Sequence, residues 1–376
     1  MLDYPISLEG GAQVSVLSIG KALASKRMAE VYYCFPKDDE YCSVIDEHFI
    51  REVRTSTKRF VVPYRKLFEF KRLTNQVQTI VTEVEPDIVH SQMPASLLIN
   101  GAIKTRKGLI RCHTDRGLYT GYRFPMRFLS VQALKKVDAL ITTTKLNASY
   151  WQEHTKKRIQ VIPNMISEEF GPFDPSVRER FRLEYGTKDS LVLGFAGRMT
   201  EVKNWPLALE IVKNLRQRTR HFFVAVAMGV YKSSTREKQQ AIEFVKNLSS
   251  IVGDRLIYKE NASPREMSDF YYLVDIFILT SRFESFGRTA IEAMSRKCCV
   301  LGTNVGGIPE VIDDPDLICP QDSECFTNSV LSLTRDKELL ESKQESLFRR
   351  FNETFSSRAT ISRQYELYLS LLEERR

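Results

Sequence analysis

Residues 280–292 read Thr-Ser-Arg-Phe-Glu-Ser-Phe-Gly-Arg-Thr-Ala-Ile-Glu. A strand-like apolar segment, Val274-Asp275-Ile276-Phe277-Ile278-Leu279, precedes them, and a helix-like run begins at Thr289 and continues to Met294. A buried strand, a turn and a helix start in succession make an anion site. Unpaired N–H groups and the positive end of the helix dipole face whatever occupies the turn. Ser285 reads as the N-cap, and Gly287 as the point where a ligand comes close to the backbone. Glu284 falls just outside the helix and Glu292 eight residues on, two turns or about 12 Å along a helix axis. One carboxylate can reach a group beyond a bound phosphate while the other reaches a group on its far side, which is the layout of a nucleotide sugar.

Three other stretches repeat the strand-to-turn pattern. Ser190 to Ala196 (SLVLGFA) reads as a buried strand, followed by Gly197-Arg198-Met199-Thr200-Glu201-Val202-Lys203-Asn204 and a helix from about Trp205. Arg198 and Lys203, beside a helix N-terminus, read either as a surface charge pair or as two cations for a diphosphate whose charge grows in the transition state. Near the start, a short apolar segment leads to Gly10-Gly11 and a helix-like run from Val14 to Ser25, read either as a phosphate-approach loop or as a plain tight turn. Gly108 to Cys112 reads as a strand ending at His113-Thr114-Asp115. A histidine at the C-terminal end of a parallel strand stands where open α/β sheets bind ligands, and taken alone it reads more readily as a hydrogen-bonded core histidine.

As a set, Glu284, Phe286, Gly287 and Glu292 resemble the Glu-x7-Glu signature of the family 4 retaining glycosyltransferases. The resemblance extends over nearly the whole chain. Glu85 to His90 (EPDIVH), Val161-Ile162-Pro163-Asn164, Gly197-Arg198 with Lys203, and Gly306-Gly307-Ile308-Pro309-Glu310 are all similar to segments of that family. It implies a GT-B fold: an α/β protein of two Rossmann-like domains whose parallel sheets face each other across a cleft. It also implies transfer of a sugar from a nucleotide diphosphate, UDP- or GDP-linked, to an acceptor hydroxyl with retention and without a metal or other cofactor. Carried over residue by residue, Glu284 and His113 become catalytic. Gly10, Gly11, Arg198, Lys203, Asn261, Ser285, Phe286, Gly287 and Glu292 hold the donor, with Glu292 on the ribose. Asn204 stands where the family has a glycine, and few residues precede Gly10 for the family's first strand, so that strand is short or the start is truncated. The expected domains are 1–163 with a crossover helix at about 357–376, a linker at 164–189 rich in Pro, Gly and Asp, and a donor domain at 190–356.

Composition frames these readings. The 376 residues are 43% hydrophobic and 27% charged, suited to two globular domains. No apolar run approaches the ~20 residues of a membrane span, and Met1 opens no signal-peptide pattern. The seven cysteines are scattered without zinc spacing and fit a reducing compartment. The net charge of +8 points to an anionic partner. The stretch from Lys58 to Leu73 carries six basic residues against Glu69, interleaved with Phe60, Tyr64, Phe68 and Phe70. It reads either as a segment that docks on anionic lipid or as a solvated basic helix with its aromatics in the core. A second basic-aromatic stretch runs from Arg116 to Arg127. The expectation is a cytoplasmic protein that can touch the inner membrane face, with a glycan or lipid-linked acceptor. Rival readings are an epimerase or a pyridoxal phosphate-dependent phosphorylase of the same fold, a silent binding subunit, and a nucleic-acid binder. The last lacks any matching motif.

Overall fold

The computed structural model describes residues 1–3, 11–36, 50–56, 59–230 and 234–375. The chain forms two compact units, Met1–Met165 with Ser357–Arg376, and Ile166–Ser356.

In the first unit the order is α1 (Gly11–Ser25), β1 (Val31–Pro36), β2 (Ile50–Thr55), α2 (Leu67–Val84), β3 (Ile88–Ser91), α3 (Pro94–Ala102), β4 (Ile110–Asp115), α4 (Met126–Leu134), β5 (Ala139–Thr142), α5 (Lys145–Gln152) and β6 (Arg158–Val161). Strands β3-β4-β5-β6 form one parallel sheet and β1-β2 another. The backbone of Met1–Asp3 lies between them: Leu2 N–H donates to the Cys34 carbonyl at 3.0 Å and Gln92 N–H to that of Met1 at 3.2 Å. The Asp3 carboxylate then accepts the N–H groups of Ala95 (2.7 Å) and Ser96 (2.6 Å), capping α3 from a distance. The run 67–84 is amphipathic, with Leu73, Val77 and Val81 buried at helical spacing.

The second unit runs α6 (Pro175–Glu184), β7 (Leu191–Arg198), α7 (Trp205–Arg218), β8 (Phe222–Gly229), α8 (Thr235–Val252), β9 (Leu256–Glu260), α9 (Pro264–Leu273), β10 (Ile276–Leu279), α10 (Arg288–Met294), β11 (Cys299–Thr303), α11 (Ile308–Ile312), β12 (Ile318–Cys319), α12 (Ser323–Arg335) and α13 (Lys337–Arg350). Its six strands pair in parallel in the order β12-β11-β10-β7-β8-β9. Renumbered within the unit this is 3-2-1-4-5-6, the doubly wound Rossmann arrangement, whose switch point lies between β7 and β10. Both strands are apolar on both faces because helices cover both, and Val192, Leu193, Ile276 and Phe277 are fully buried. The terminal helix α14 (Ser357–Glu373) belongs to the first unit, where Leu367 and Leu371 pack with Ile110, Cys112 and Ile141.

The stretch expected as a linker contains α6. Asp174 caps it and Pro175 occupies its first turn. Arg178 and Arg182 both reach Asp275 at the foot of β10, at 2.8 and 2.9 Å, and Asp275 also accepts the Val192 N–H at 2.9 Å. Fixed charges thus bind this segment to the switch-point strands.

Candidate active site

The two switch-point loops of the second unit are tied together at three places. Arg282 N–H donates to the Val202 carbonyl at 2.7 Å, the Thr280 hydroxyl to the Lys203 carbonyl at 2.8 Å, and Lys203 Nζ to Glu284 Oε2 at 2.5 Å. The ion pair is mostly shielded, with side-chain exposures of 21% and 17%, so its charges are weakly screened. The Lys203 stem lies over Gly197: a Cβ there would stand 3.2 to 3.3 Å from three of its carbons. A narrow crevice beside it is lined by Ala196, Lys203, Thr280 and Ser281. A third loop joins in, because Gly307 N–H donates to the Glu284 carbonyl at 3.0 Å.

Asn204, where a glycine was expected, has φ 52° and ψ 49°. That left-handed backbone favours Gly and tolerates Asn, so the departure preserves the conformation. Asn204→Gly should leave the melting temperature nearly unchanged, whereas Asn204→Val should cost about 1–2 kcal/mol in chemical denaturation.

Two expectations at the 280–292 loop are corrected. Ser285 does not cap α10: Gly287 occupies the cap position with φ 96°, and no side chain caps it. The helix begins at Arg288, so Glu284 stands outside it as expected, but a single helical turn, not two, leads to Glu292. Phe286 is a core anchor, 2% exposed and edge-on to Phe355 at 5.9 Å. Glu292 is buried, its Oε2 accepting from the Tyr271 hydroxyl at 3.1 Å and its Oε1 facing Arg288 Nε at 3.2 Å. Arg198 ends β7 with its stem against Gly229. Asn261, also left-handed at φ 51°, uses its side-chain oxygen to accept the Val230 N–H at 2.8 Å and so holds the ends of β8 and β9 together. Gly11 opens α1, and Gly10 lies outside the described residues. Asp314 and Asp316, which form an Asp-x-Asp, are both engaged by Lys343 Nζ, at 2.8 Å to each.

His113 belongs to the first unit, in the C-terminal half of β4. Its Nδ1 lies 3.1 Å from the Ser91 carbonyl and 2.9 Å from the Ser91 hydroxyl. A carbonyl only accepts, so Nδ1 carries the proton and Nε2 is the ring's acceptor. Burial lowers its pKa to about 4, partly offset by Asp115. His90, the structural histidine, uses both nitrogens, on the Tyr368 hydroxyl (2.5 Å) and the Thr114 hydroxyl (2.7 Å), and burial lowers its pKa well below the ordinary value.

A histidine whose folded pKa is depressed contributes stability above its unfolded value and loses it as pH falls toward the folded one. His113 should therefore withdraw about 3 kcal/mol between pH 6.5 and 4. Asp3, pushed up to about 6 by burial, acts in the opposite sense. The check is denaturation of wild type against His113→Asn at several pH values, with the variant showing the shallower acid loss.

Sequence reading missed Asp115. It is 1% exposed and accepts from Gly117 N–H (3.1 Å), Asn147 Nδ2 (3.0 Å), Trp151 Nε1 (2.6 Å) and the Tyr122 hydroxyl. Four converging donors fix the chain that leaves β4 immediately beyond His113.

The strand order of the second unit, with a lysine-carboxylate pair at its switch point, defines a doubly wound α/β protein of the Rossmann class. Solved structures agree on the fold. A sucrose-phosphate synthase from Thermosynechococcus elongatus is similar with a TM-score of 0.80 at 18% identity, covering 97% of this chain and 94% of that one. The Anabaena protein HepE, solved in complex with UDP and glucose, is similar with a TM-score of 0.78 at 16% identity, covering 98% of each chain. The fold is GT-B, with two Rossmann-like domains carrying parallel sheets.

Family comparison goes further. The description "Glycosyl transferases group 1" matches residues 177–346, and "Glycosyltransferase Family 4" matches residues 9–170. The chain belongs to this glycosyltransferase family. The lipopolysaccharide 1,2-N-acetylglucosaminetransferase of Salmonella typhimurium is 28% identical over 204 residues, 53% of this chain and 53% of that protein. The match therefore spans about half the length of that relative.

Proposed function

We propose that the protein is a retaining glycosyltransferase that moves a sugar from a nucleotide diphosphate donor to an acceptor hydroxyl. The observation that carries this reading is the Lys203–Glu284 pair, held at 2.5 Å where β7 and β10 diverge. An ammonium has three N–H donors and Glu284 engages one, so two remain for diphosphate oxygens. The bond between the anomeric carbon and the diphosphate oxygen breaks, and Lys203, Arg198 and the backbone amides near Gly287 stabilise the growing charge. The acceptor oxygen bonds the anomeric carbon from the same face, and its proton passes to the departing phosphate. Glu284 faces the sugar, Glu292 takes ribose hydroxyls, and Asn261 lies toward the base. His113 offers Nε2 to a sugar hydroxyl. Gly10 and Gly11 are assigned to the donor's phosphate side. No metal is assigned to the reaction, and the donor sugar is UDP- or GDP-linked.

The test is a thermal-shift screen with UDP-, GDP- and ADP-sugars. A ligand bound only by the folded state raises the melting temperature by mass action. Stabilisation by one nucleotide class, with release of that nucleoside diphosphate in the presence of acceptor, supports the reading. Binding without release favours a nucleotide-sugar-binding protein or an epimerase.

The acceptor we propose is a glycan or lipid-linked glycan of surface polysaccharide, lipopolysaccharide or glycolipid synthesis, met at the inner membrane face. Support comes from the first unit. Phe68 is 87% exposed and Phe124 84%, flanked by exposed Arg65, Lys66, Lys71, Arg72 and Arg123. Phe70 and Tyr122, each two residues away, pack against the same core cluster. Among the described residues no helix is long and apolar enough to cross a membrane. Flotation with vesicles containing phosphatidylglycerol at low salt checks the contact, and a protein that stays in solution sinks it.

A further inference from the structure

We propose that Tyr271 is a positioning residue for Glu292, setting how that carboxylate is presented to the donor's ribose. The inference rests on the assignment of Glu292 to the ribose and adds the group that orients it.

Glu292 is 3% exposed, so its rotamer is decided by its neighbours rather than by water. A carboxylate has about four lone-pair sites. Tyr271 addresses one oxygen at 3.1 Å and Arg288 the other at 3.2 Å. The sites left over suit two adjacent hydroxyls, but only if the plane of the carboxylate is fixed.

The two neighbours differ in what fixes them. The Arg288 side chain is 24% exposed and sits at the start of α10, on a long stem of several rotatable bonds. Tyr271 is fully buried. Its ring stands edge-on to Phe270 at 5.2 Å and to Phe277 at 5.3 Å, and tilted to Phe170 at 6.2 Å. Phe277 lies on β10, the strand that delivers Glu284. The core therefore places the Tyr271 hydroxyl, and the hydroxyl places Glu292. Burial and the adjacent carboxylate raise the phenol's pKa well above its ordinary value, so it stays a donor.

The experiment compares affinity for UDP and for 2′,3′-dideoxy-UDP (or the GDP pair, if the screen selects GDP) by calorimetry. Wild type, Glu292→Gln and Tyr271→Phe are measured, with melting temperatures. Removing one hydrogen bond to a charged group should lower the ribo-over-dideoxy preference about tenfold in Tyr271→Phe, with dideoxy affinity held within about twofold. The ring and its packing survive this change, and a melting temperature near that of wild type verifies it. A preference in Tyr271→Phe equal to wild type makes the phenol merely a satisfied buried group and overturns the proposal. A preference unchanged in Glu292→Gln instead removes Glu292 from the ribose, so the underlying reading fails by its own, separate signature.

Discussion

Lys203→Ala should lower transfer, and donor hydrolysis without acceptor, by roughly 10²–10³-fold. Lys203 is the cation that the structure holds against Glu284, and its two unengaged N–H donors are what a leaving diphosphate would meet. The loss should fall mainly on kcat, because the charge to be stabilised grows as the glycosidic bond to phosphate breaks. Lys203→Arg should recover only part of the activity, since a planar fork cannot reproduce a compact ammonium above Gly197. Stability should fall by about 1–3 kcal/mol, because the variant leaves a mostly shielded Glu284 carboxylate without its cation, and the melting temperature separates that cost from the loss in kcat. Steady-state kinetics with the donor found in the thermal screen decides the matter. A variant with more than about a tenth of wild-type kcat takes Lys203 out of the reaction.

Asp115→Ala should destabilise the first unit by on the order of 3–5 kcal/mol. The variant strands the Trp151 indole N–H, the Asn147 amide, the Tyr122 hydroxyl and the Gly117 N–H, all of which converge on one carboxylate. A fall of roughly 10 °C in the first unit's melting temperature would follow. Stabilisation of the second unit by nucleoside diphosphate should persist. Differential scanning calorimetry with and without nucleotide checks both parts, and a variant that melts like wild type shows the network to be dispensable.

Which features could be read in advance follows from the range of the interactions behind them. Strands β7, β10 and β11 announce themselves as short apolar runs, because both faces of a parallel sheet are covered. The Lys203–Glu284 pair is reachable because each residue sits on a loop directly after such a run. Tyr271 and Asp115 act through partners 21 and up to 36 residues away, and no periodicity marks those partners. The Ser285 reading failed because serine is a common cap, whereas here the left-handed Gly287 ends the loop. Residues 164–189 mislead in another way. Pro, Gly and Asp are linker residues, yet Asp174-Pro175 is also a helix start, and the two arginines that follow are drawn to Asp275.

One consequence of the chain's path concerns its birth on the ribosome. The second unit is continuous from Ile166 to Ser356, whereas the first is closed by α14. Leu367 and Leu371 complete the cluster around Ile110, Cys112 and Ile162, and Tyr368 occupies His90. During synthesis from the N-terminus, the earlier-made half must therefore wait, with an apolar face uncovered, until the later-made half has emerged. The nascent first unit is then the stretch most in need of a chaperone, and truncation before residue 357 should yield a protein whose second unit folds while its first aggregates.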